Sequence, residues 1–410
     1  MKSLRHLFRI GKGPSSSHTI APYNAALSFK KLLENKKYDK IICTLYGSFA
    51  LTGIGHGTSE VIQDAFTDFK VDFVFDTKTK PNHPNEMKLG AYLKDEVILS
   101  KTYDSLGGGE IYSKDDETVN EYDIYPYRNF DEIKAFIKKR NIKDIKDFCL
   151  IYEKDDIDNY LMNCLDVMFE AVERGLNSTG IIPSNKNPRL QVERVAKDIY
   201  NKAMSLDNVE EKDKLLITAY SYSVAEGNAC HEKLVTAPTC GASGILPGVL
   251  YYSYKQKGIS KEKLRDSLYV AGLFGNIVKQ NASIAGAIGG CQAEVGTATS
   301  MAAACLCYLD SLSLYQMEYA AELAMEHFLG LSCDPVDGYV IIPCIERNGV
   351  GALRANDSYL YAKHIAPIRM NRVSFDNVVS AMKLTGDALL DAYKETALGG
   401  LASILKEKKN

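Results

Sequence analysis

The stretch EMKLGAYLKDEVILSKTYDSL, residues 86–106, contains two runs of β-branched and aromatic residues. Such runs are typical of β-strands, because branched and aromatic side chains pack well on a pleated surface. The same composition predicts strands at residues 40–51 and 71–77, whereas residues 20–35 have the apolar spacing of a helix. The first part of the chain is therefore predicted to mix strands with helices.

The strand pattern stops near residue 155, and helical periodicity dominates the remainder. The predicted helices cover residues 156–176, 189–205, 213–229, 261–280, 293–312 and 316–331. The sequence thus predicts an α+β protein with an α+β domain over residues 1–150 and a predominantly α-helical domain over residues 151–410. The boundary is placed in the charged stretch 140–155, which is predicted to be a solvated connector.

The composition excludes several classes of protein. Hydrophobic residues make up 46% of the chain and charged residues 25%, as in soluble globular proteins. The net charge of -3 argues against a nucleic-acid partner, because phosphate binding requires a basic surplus. No run of about eighteen apolar residues predicts a membrane span, and the N-terminal residues lack a signal peptide's apolar region. The expected location is the cytoplasm.

Ten cysteines need an explanation, since a reducing cytoplasm disfavours disulfides. Cys344 directly follows Pro343, Pro335 stands two residues after Cys333, and Cys291 lies among small residues in the stretch 281–297. These surroundings stiffen a thiol or let a bulky inorganic group approach the backbone. The spacings are not those of close zinc-binding pairs, and three thiolates suit an iron-sulfur cluster with one iron open. Buried structural cysteines are the alternative.

Two polar segments are candidates for substrate binding and proton transfer. GKGPSSSHT, residues 11–19, presents hydroxyls and backbone N–H groups before a predicted helix, where a carboxylate can bind. A helix cap is the alternative interpretation. His56 lies between glycines in TGIGHGTS, residues 52–59, and imidazole suits proton transfer near neutral pH. A structural histidine is the alternative there.

Seven motifs in chain order resemble those of the bacterial iron-sulfur-dependent L-serine dehydratases, also called L-serine ammonia-lyases. They are GPSSSHT, YGSFALTGIGHGT, SKTYDSLGGG, TAPTCGASGILPGV, NASIAGAIGGCQAEVG, CDPVDGYVIIPCIERN and ETALGGLA. The resemblance covers about residues 3 to 402 and implies dehydration of L-serine to aminoacrylate, which hydrolyses to pyruvate and ammonia. It also implies a [4Fe-4S] cluster bound in the helical domain by Cys291, Cys333 and Cys344.

The same resemblance implies roles for residues that handle the substrate. His56 is expected to be the base that removes the α-proton, and the SSSHT segment is expected to hold the carboxylate. Asn281 and Arg347 are expected beside the cluster because they are close in sequence to its cysteines. The predicted substrate-binding residues are Ser16, Ser17, His18, Thr19, Asn281 and Arg347. The N-terminal domain is expected to resemble the allosteric substrate-binding domain of some phosphoglycerate dehydrogenases, and the protein to be a homodimer.

Other functions compatible with the sequence stay open at this point. Departures from the family pattern at Cys240 and Ala293 leave L-cysteine or L-threonine as substrates of the same cluster. A pyridoxal phosphate lyase is a further alternative, because SFK at 28–30 and SLGGG at 105–109 are similar to its lysine and phosphate-binding motifs. The last alternative is a non-catalytic serine sensor in which the cysteines hold a structural metal.

Overall fold

The computed structural model describes residues 1–114, 123–154, 156–182 and 190–407 of the chain. The strands are β1 (Ile10–Lys12), β2 (Lys40–Tyr46), β3 (Val71–Asp76), β4 (Glu86–Leu93), β5 (Glu96–Gly107), β6 (Glu110–Tyr112) and β7 (Lys233–Val235). The first helices are α1 (Ile20–Leu32), α2 (Gly47–His56), α3 (Thr58–Ala65), α4 (Phe130–Arg140), α5 (Ile145–Leu150), α6 (Ile157–Leu176), α7 (Ala196–Met204) and α8 (Val209–Ala229). The later helices are α9 (Ile245–Lys257), α10 (Lys261–Asn281), α11 (Gly286–Gly289), α12 (Thr297–Leu309), α13 (Leu314–Glu326), α14 (Cys344–His364), α15 (Phe375–Ala388) and α16 (Gly400–Glu407).

A five-stranded sheet forms the strand-bearing part, with the order β3-β2-β4-β5-β6. β2 and β3 are parallel, and the other neighbouring pairs are antiparallel. Alternate residues of β2 are buried, so that Ile41, Cys43 and Leu45 face a core that also contains Phe29 of α1 and Ile62 of α3. This arrangement and the helical remainder confirm the coarse prediction of a mixed α+β fold.

One predicted strand was wrong over its second half. The strand expected at residues 40–51 ends at Tyr46, and α2 begins at once with Gly47. Gly47 has a φ of +53°, and a Cβ at this position would lie 2.3 Å from the carbonyl oxygen of Pro84. Glycine therefore permits the sharp change from strand to helix. As a consequence, residues 48, 52 and 56 recur at every fourth position and share one helix face.

A larger core joins the helices of the second part. α12 lies at its centre, because every one of its residues except Tyr308 is buried, as expected of a helix without a polar face. Leu4 and Phe8 from the start of the chain pack into the same core. The prediction of a solvated connector at 140–155 was wrong for its described residues, because they contain α5, whose Phe148 is fully buried in this core. A division near residue 150 stays a prediction.

The predicted helices of the second part largely agree with the structure. The helix expected at 189–205 begins only at Ala196, and Glu193 before it forms an isolated bridge with Ile181. The helix expected at 293–312 starts instead as a π-helical segment, Gln292–Gly296, directly after Cys291. Such segments are frequent at functional sites. Among the described helices, none is long and apolar enough to cross a membrane.

Candidate active site

A two-stranded sheet attaches the N-terminal segment to the helical part. β1 pairs antiparallel with β7, with Gly11 opposite Leu234. Beyond β1, Asn228 of α8 donates its amide hydrogen to the carbonyl oxygen of Pro14 at 2.8 Å. A Cβ on Gly13 would lie 2.0 Å from the Asn228 side-chain oxygen, so only glycine allows this close approach. The hydroxyl-rich residues that follow are thereby held between α2 and the helical part.

His18 is enclosed by hydroxyl groups. Its Nδ1 lies 3.0 Å from Ser17 Oγ, and its Nε2 lies 3.1 Å from Thr52 Oγ1 and 3.2 Å from Ser48 Oγ. The ring is fully buried, and burial lowers the pKa of His18 well below its usual value. His18 is therefore a neutral imidazole whose two nitrogens both have hydroxyl partners.

His56 stacks on His18, with the ring centroids 4.3 Å apart. Its Nδ1 donates a hydrogen bond to the carbonyl oxygen of Thr52 at 2.9 Å. Nε2 has no hydrogen-bond partner within the described parts of the chain. Burial lowers the pKa of His56 to about 4. His56 thus combines a fixed ring with an unprotonated nitrogen, which is what a general base requires.

Glu395 reaches this pair of rings from near the other end of the chain. Its Oε1 lies 3.6 Å from His56 Nε2 and 3.6 Å from His18 Nδ1. Ser15 donates to the same oxygen at 3.4 Å, and Ser48 Oγ donates to the Glu395 main-chain carbonyl at 2.6 Å. Burial raises the pKa of Glu395 well above its usual value, and the charges of neighbouring acidic groups act in the same direction.

The three cysteines singled out from the sequence line one cavity together with His56 and Glu395. They come from three separate places: the residue before the π-helical segment, the loop at 333, and the first residue of α14. Cys333 is held there by its backbone N–H, which donates to the carbonyl oxygen of Tyr393 at 2.8 Å. The cavity measures about 20 Å³, which is room for about one water molecule. A larger guest therefore requires the lining side chains to separate.

A carboxyl group and a guanidinium group lie beside the thiols. Cys291 Sγ, Cys333 Sγ and a Glu294 carboxylate oxygen are all within 4.8 Å of one another. Arg347 donates to the carbonyl oxygen of Ser332 at 2.8 Å and to Asp334 at 3.0 Å. A hydrogen bond with Cys333 lowers the pKa of Cys291, and the Arg347 charge acts in the same direction. The same hydrogen bond raises the pKa of Cys333, and burial raises that of Cys344. Of the three thiols, Cys291 is therefore the one favoured as a thiolate, the form that binds metals.

The donor set fits an iron-sulfur cluster. Thiolates are the ligands that such clusters use, and the three thiols converge on one buried cavity. The backbone of Gly286 also lies close to this donor set. A Cβ on Gly286 would lie 3.1 Å from Cys333 Sγ and 2.7 Å from Glu294 Oε2. The glycine at that position leaves space beside the sulfur that any other residue would occupy.

Only some of the residues predicted for substrate binding line the cavity. Arg347 lines the cavity, as does Ser15, the first residue of the SSSHT segment that was expected to hold the carboxylate. Thr19 Oγ1 donates to the carbonyl oxygens of Lys12 and Ser15. Asn281 lies at the end of α10, and its amide donates to the carbonyl oxygens of Arg128 and Ile277. The lining formed by described residues does not include Ser16, Ser17, His18, Thr19 or Asn281.

Four residues of the site were missed in the sequence. Glu294 follows Cys291 by three positions, and Ser48 and Thr52 precede His56 at helical spacing. That spacing was a usable signal, but it was hidden because residues 47–51 were interpreted as a strand. Glu395 stands in the recognised motif ETALGGLA, yet nothing in its neighbourhood indicates contact with His56. Only the tertiary fold brings these two residues together.

Comparison with known proteins gives matches over nearly the whole chain. The family model described as serine dehydratase beta chain matches residues 3–68, and that described as serine dehydratase alpha chain matches residues 58–402. An L-serine dehydratase of Helicobacter pylori J99 is 35% identical, with 98% of this chain and 99% of that protein covered. An L-serine dehydratase of Streptomyces coelicolor is 37% identical, with 98% of both chains covered. L-serine dehydratase TdcG of Escherichia coli is 37% identical, with 98% and 99% covered.

Proposed function

The chain belongs to the serine dehydratase family, and from this we propose how its own residues dehydrate L-serine. The enzyme is a lyase that removes water from L-serine. Loss of the α-proton and of the β-hydroxyl gives 2-aminoacrylate and water. Aminoacrylate then takes up one water and yields pyruvate and ammonia. The observation that carries the proposal is the unprotonated His56 Nε2 on the same cavity as three thiols.

His56 is the base that takes the α-proton at Nε2. Its Nδ1 hydrogen is committed to the Thr52 carbonyl, so Nε2 carries the free lone pair. His18 is less suited to this role, because both of its nitrogens are engaged by hydroxyl groups. The stacked His18 ring instead holds the His56 ring in place. Burial excludes water that would otherwise compete for the proton.

Cys291, Cys333 and Cys344 hold the [4Fe-4S] cluster in this proposal. The support is their convergence on one buried cavity. When bound, the cluster supplies a Lewis-acidic iron that helps the β-hydroxyl to leave. Arg347 places a positive charge beside the thiolates and offsets part of their negative charge.

The SSSHT segment, residues 15–19, supplies hydroxyl groups to the cavity and to the histidine rings. Ser15 is its member on the cavity and can donate a hydrogen bond to the substrate carboxylate. Ser16, Ser17, His18 and Thr19 act behind it, since Ser17 and Thr19 use their hydroxyls on His18 and on backbone carbonyls. Arg347 is a second candidate for the carboxylate. No contact of Asn281 supports a role for it in substrate binding within the described residues.

The names of the relatives favour L-serine over L-cysteine and L-threonine as the substrate. The pyridoxal phosphate alternative receives no support, because Lys30 donates to the carbonyl oxygen of Ala65 and does not line the described cavity. We retain as proposals the two domains, 1–150 and 151–410, and the likeness of the first to an allosteric substrate-binding domain. A cytoplasmic location and a homodimer also stay proposals.

A substrate panel tests this function. The protein is reconstituted with iron and sulfide without oxygen and is given L-serine, L-threonine, L-cysteine and D-serine in turn. Pyruvate, 2-oxobutyrate, ammonia and sulfide are measured. We expect the highest kcat/KM with L-serine. Sulfide release from L-cysteine at a higher kcat/KM would reassign the substrate, and binding of L-serine without turnover would support the sensor alternative.

A further inference from the structure

Two buried polar atoms on the cavity have no hydrogen-bond partner among the described residues: His56 Nε2 and Glu395 Oε2. Glu395 is only 4% exposed, and His56 is completely buried. Leaving a buried polar group without a partner costs free energy, and among the unpartnered buried atoms of the described residues only these two belong to residues that line this cavity. Both residues line the same cavity. A ligand bound in that cavity would satisfy both atoms.

The side chains of His56 and Glu395 are also close enough to contact groups on one carbon atom of a ligand. Glu395 Oε1 lies 3.6 Å from His56 Nε2. In an α-amino acid the α-hydrogen and the ammonium group are attached to the same carbon. A base for the hydrogen and an acceptor for the ammonium must therefore be neighbours, as His56 and Glu395 are.

We propose that Glu395 binds the α-ammonium group of the substrate and thereby selects amino acids over the corresponding 2-hydroxy acids. This inference rests on the proposed function, in which His56 removes the α-proton of L-serine. Glu395 is held for this task at both ends: Ser48 Oγ donates to its main-chain carbonyl, and Ser15 Oγ donates to Oε1. The backbone N–H of Ala287 also favours the ionised carboxylate. Oε2 has no hydrogen-bond partner among the described residues, which leaves it for the ligand.

Charge supports the same assignment. No lysine or arginine forms an ion pair with Glu395 in the described parts of the chain, and the two histidines beside it are neutral. Burial raises the pKa of Glu395 because the carboxylate lacks a cation to compensate its charge. A substrate ammonium group supplies that cation and favours the ionised form. The pair is then buried and charge-assisted, which makes it strong.

Glu294, the other carboxyl on the cavity, is less suited to bind the ammonium. Its Oε1 accepts a hydrogen bond from Thr239 Oγ1 at 2.7 Å. It also lies within 4.8 Å of Cys291 Sγ and Cys333 Sγ, on the thiol side of the cavity. Glu395 is the one that faces the base.

The test compares L-serine with L-glycerate, which carries a hydroxyl in place of the ammonium group. KM for L-serine and the inhibition constant of L-glycerate are measured for wild type and Glu395→Gln, both loaded with cluster. Loss of one partner of a buried charge pair weakens binding by about 30-fold or more. We expect that increase in KM for L-serine, with the L-glycerate constant changed less than about threefold.

The matched control is Glu322→Gln, which removes a carboxyl that is 1% exposed, also has an unpartnered oxygen, and does not line the cavity. It should change neither constant. Equal weakening of both ligands in Glu395→Gln, or a lower kcat with an unaltered KM, would assign Glu395 a positioning role and overturn the inference.

A second measurement needs no variant and covers the case in which Glu395→Gln does not fold. In the wild-type enzyme, L-glycerate should bind about 30-fold more weakly than L-serine or worse. Equal binding would overturn the inference while leaving serine dehydration intact. Absence of serine turnover in the cluster-loaded wild type would instead refute the proposed function, so the two failures are distinguishable.

Discussion

His56 donates its Nδ1 hydrogen to the carbonyl oxygen of Thr52, one turn earlier in the same helix, at 2.9 Å. Because a carbonyl oxygen can only accept, this bond fixes the neutral tautomer of the ring. Nε2 is then the acceptor, and it faces Glu395 and the cavity that the three thiols line. The proposed chemistry depends on this one nitrogen atom.

Replacing the base should lower kcat strongly and preserve the cluster. General-base catalysis contributes about 10²- to 10⁴-fold to a rate, so His56→Gln should lower kcat by about that factor. Its iron and sulfide content should equal that of wild type. The control is His327→Gln, because His327 makes the same Nδ1 bond to a carbonyl one turn earlier, Leu323, on the protein surface. A wild-type rate in His56→Gln would move the base to another residue.

Replacing a thiol should lower the amount of cluster that the protein binds. Cys333→Ser removes one of the three proposed ligands, so iron and acid-labile sulfide per chain should fall by at least about half after reconstitution. Cys305→Ser is the matched control, since Cys305 is also buried and its thiol donates to the Ser267 carbonyl away from the cavity. Elemental analysis and the visible absorption spectrum give the answer. Full iron content in Cys333→Ser would contradict the ligand assignment.

Acid should destabilise the protein partly through His56. Burial lowers its pKa in the folded protein to about 4, whereas the ordinary value for a histidine exposed to water is 6.5. Between these values the unfolded state binds the proton and the folded state does not, so stability falls as pH decreases from 6.5 to 4. The loss from this group amounts to about 3 kcal/mol. The unfolding free energy of His56→Gln, measured with urea, should therefore fall by about 3 kcal/mol less than that of wild type between pH 6.5 and pH 4. Parallel pH profiles of wild type and variant would refute the buried neutral histidine.

The hydroxyl groups that contact His18 should affect kcat less than His56 does. Thr52→Val removes one hydroxyl partner of His18 Nε2 and keeps the backbone carbonyl that binds His56. Loss of one buried hydrogen bond costs about 1 kcal/mol. We therefore expect a comparable loss of unfolding free energy and a decrease in kcat of about tenfold at most. Thr218→Val, which removes an exposed hydroxyl bonded to the Lys214 carbonyl, should have neither effect. A decrease in kcat as large as that of His56→Gln would show that Thr52 does more than orient the rings.

The sequence predicted correctly those features whose cause lies in neighbouring residues. A proline next to Cys344, another two residues after Cys333, and small residues around Cys291 marked three thiols that do meet at one cavity. The alternation in β2 was likewise readable, because every second residue is apolar and buried. In each case the cause lies within a few residues of the feature.

Features that depend on distant contacts could not be obtained in this way. The change from strand to helix at Gly47 depends on the carbonyl of Pro84, which approaches too closely for any side chain. Glu395 meets His56 only because the fold returns the C-terminal segment to α2. Asn281 is close to Cys291 in sequence but does not line the described cavity. Its amide donates hydrogen bonds to backbone carbonyl oxygens at the end of α10. Proximity along the chain was a poor guide there.

The measurement that tests the central claim most directly is pyruvate formation from L-serine by one preparation divided into two parts. One part is reconstituted with iron and sulfide without oxygen, and the other is kept free of iron and supplemented with pyridoxal phosphate. We predict equal amounts of pyruvate and ammonia from the first part and no turnover by the second. Equal rates in both parts, or no pyruvate from the part that carries the cluster, would contradict the account.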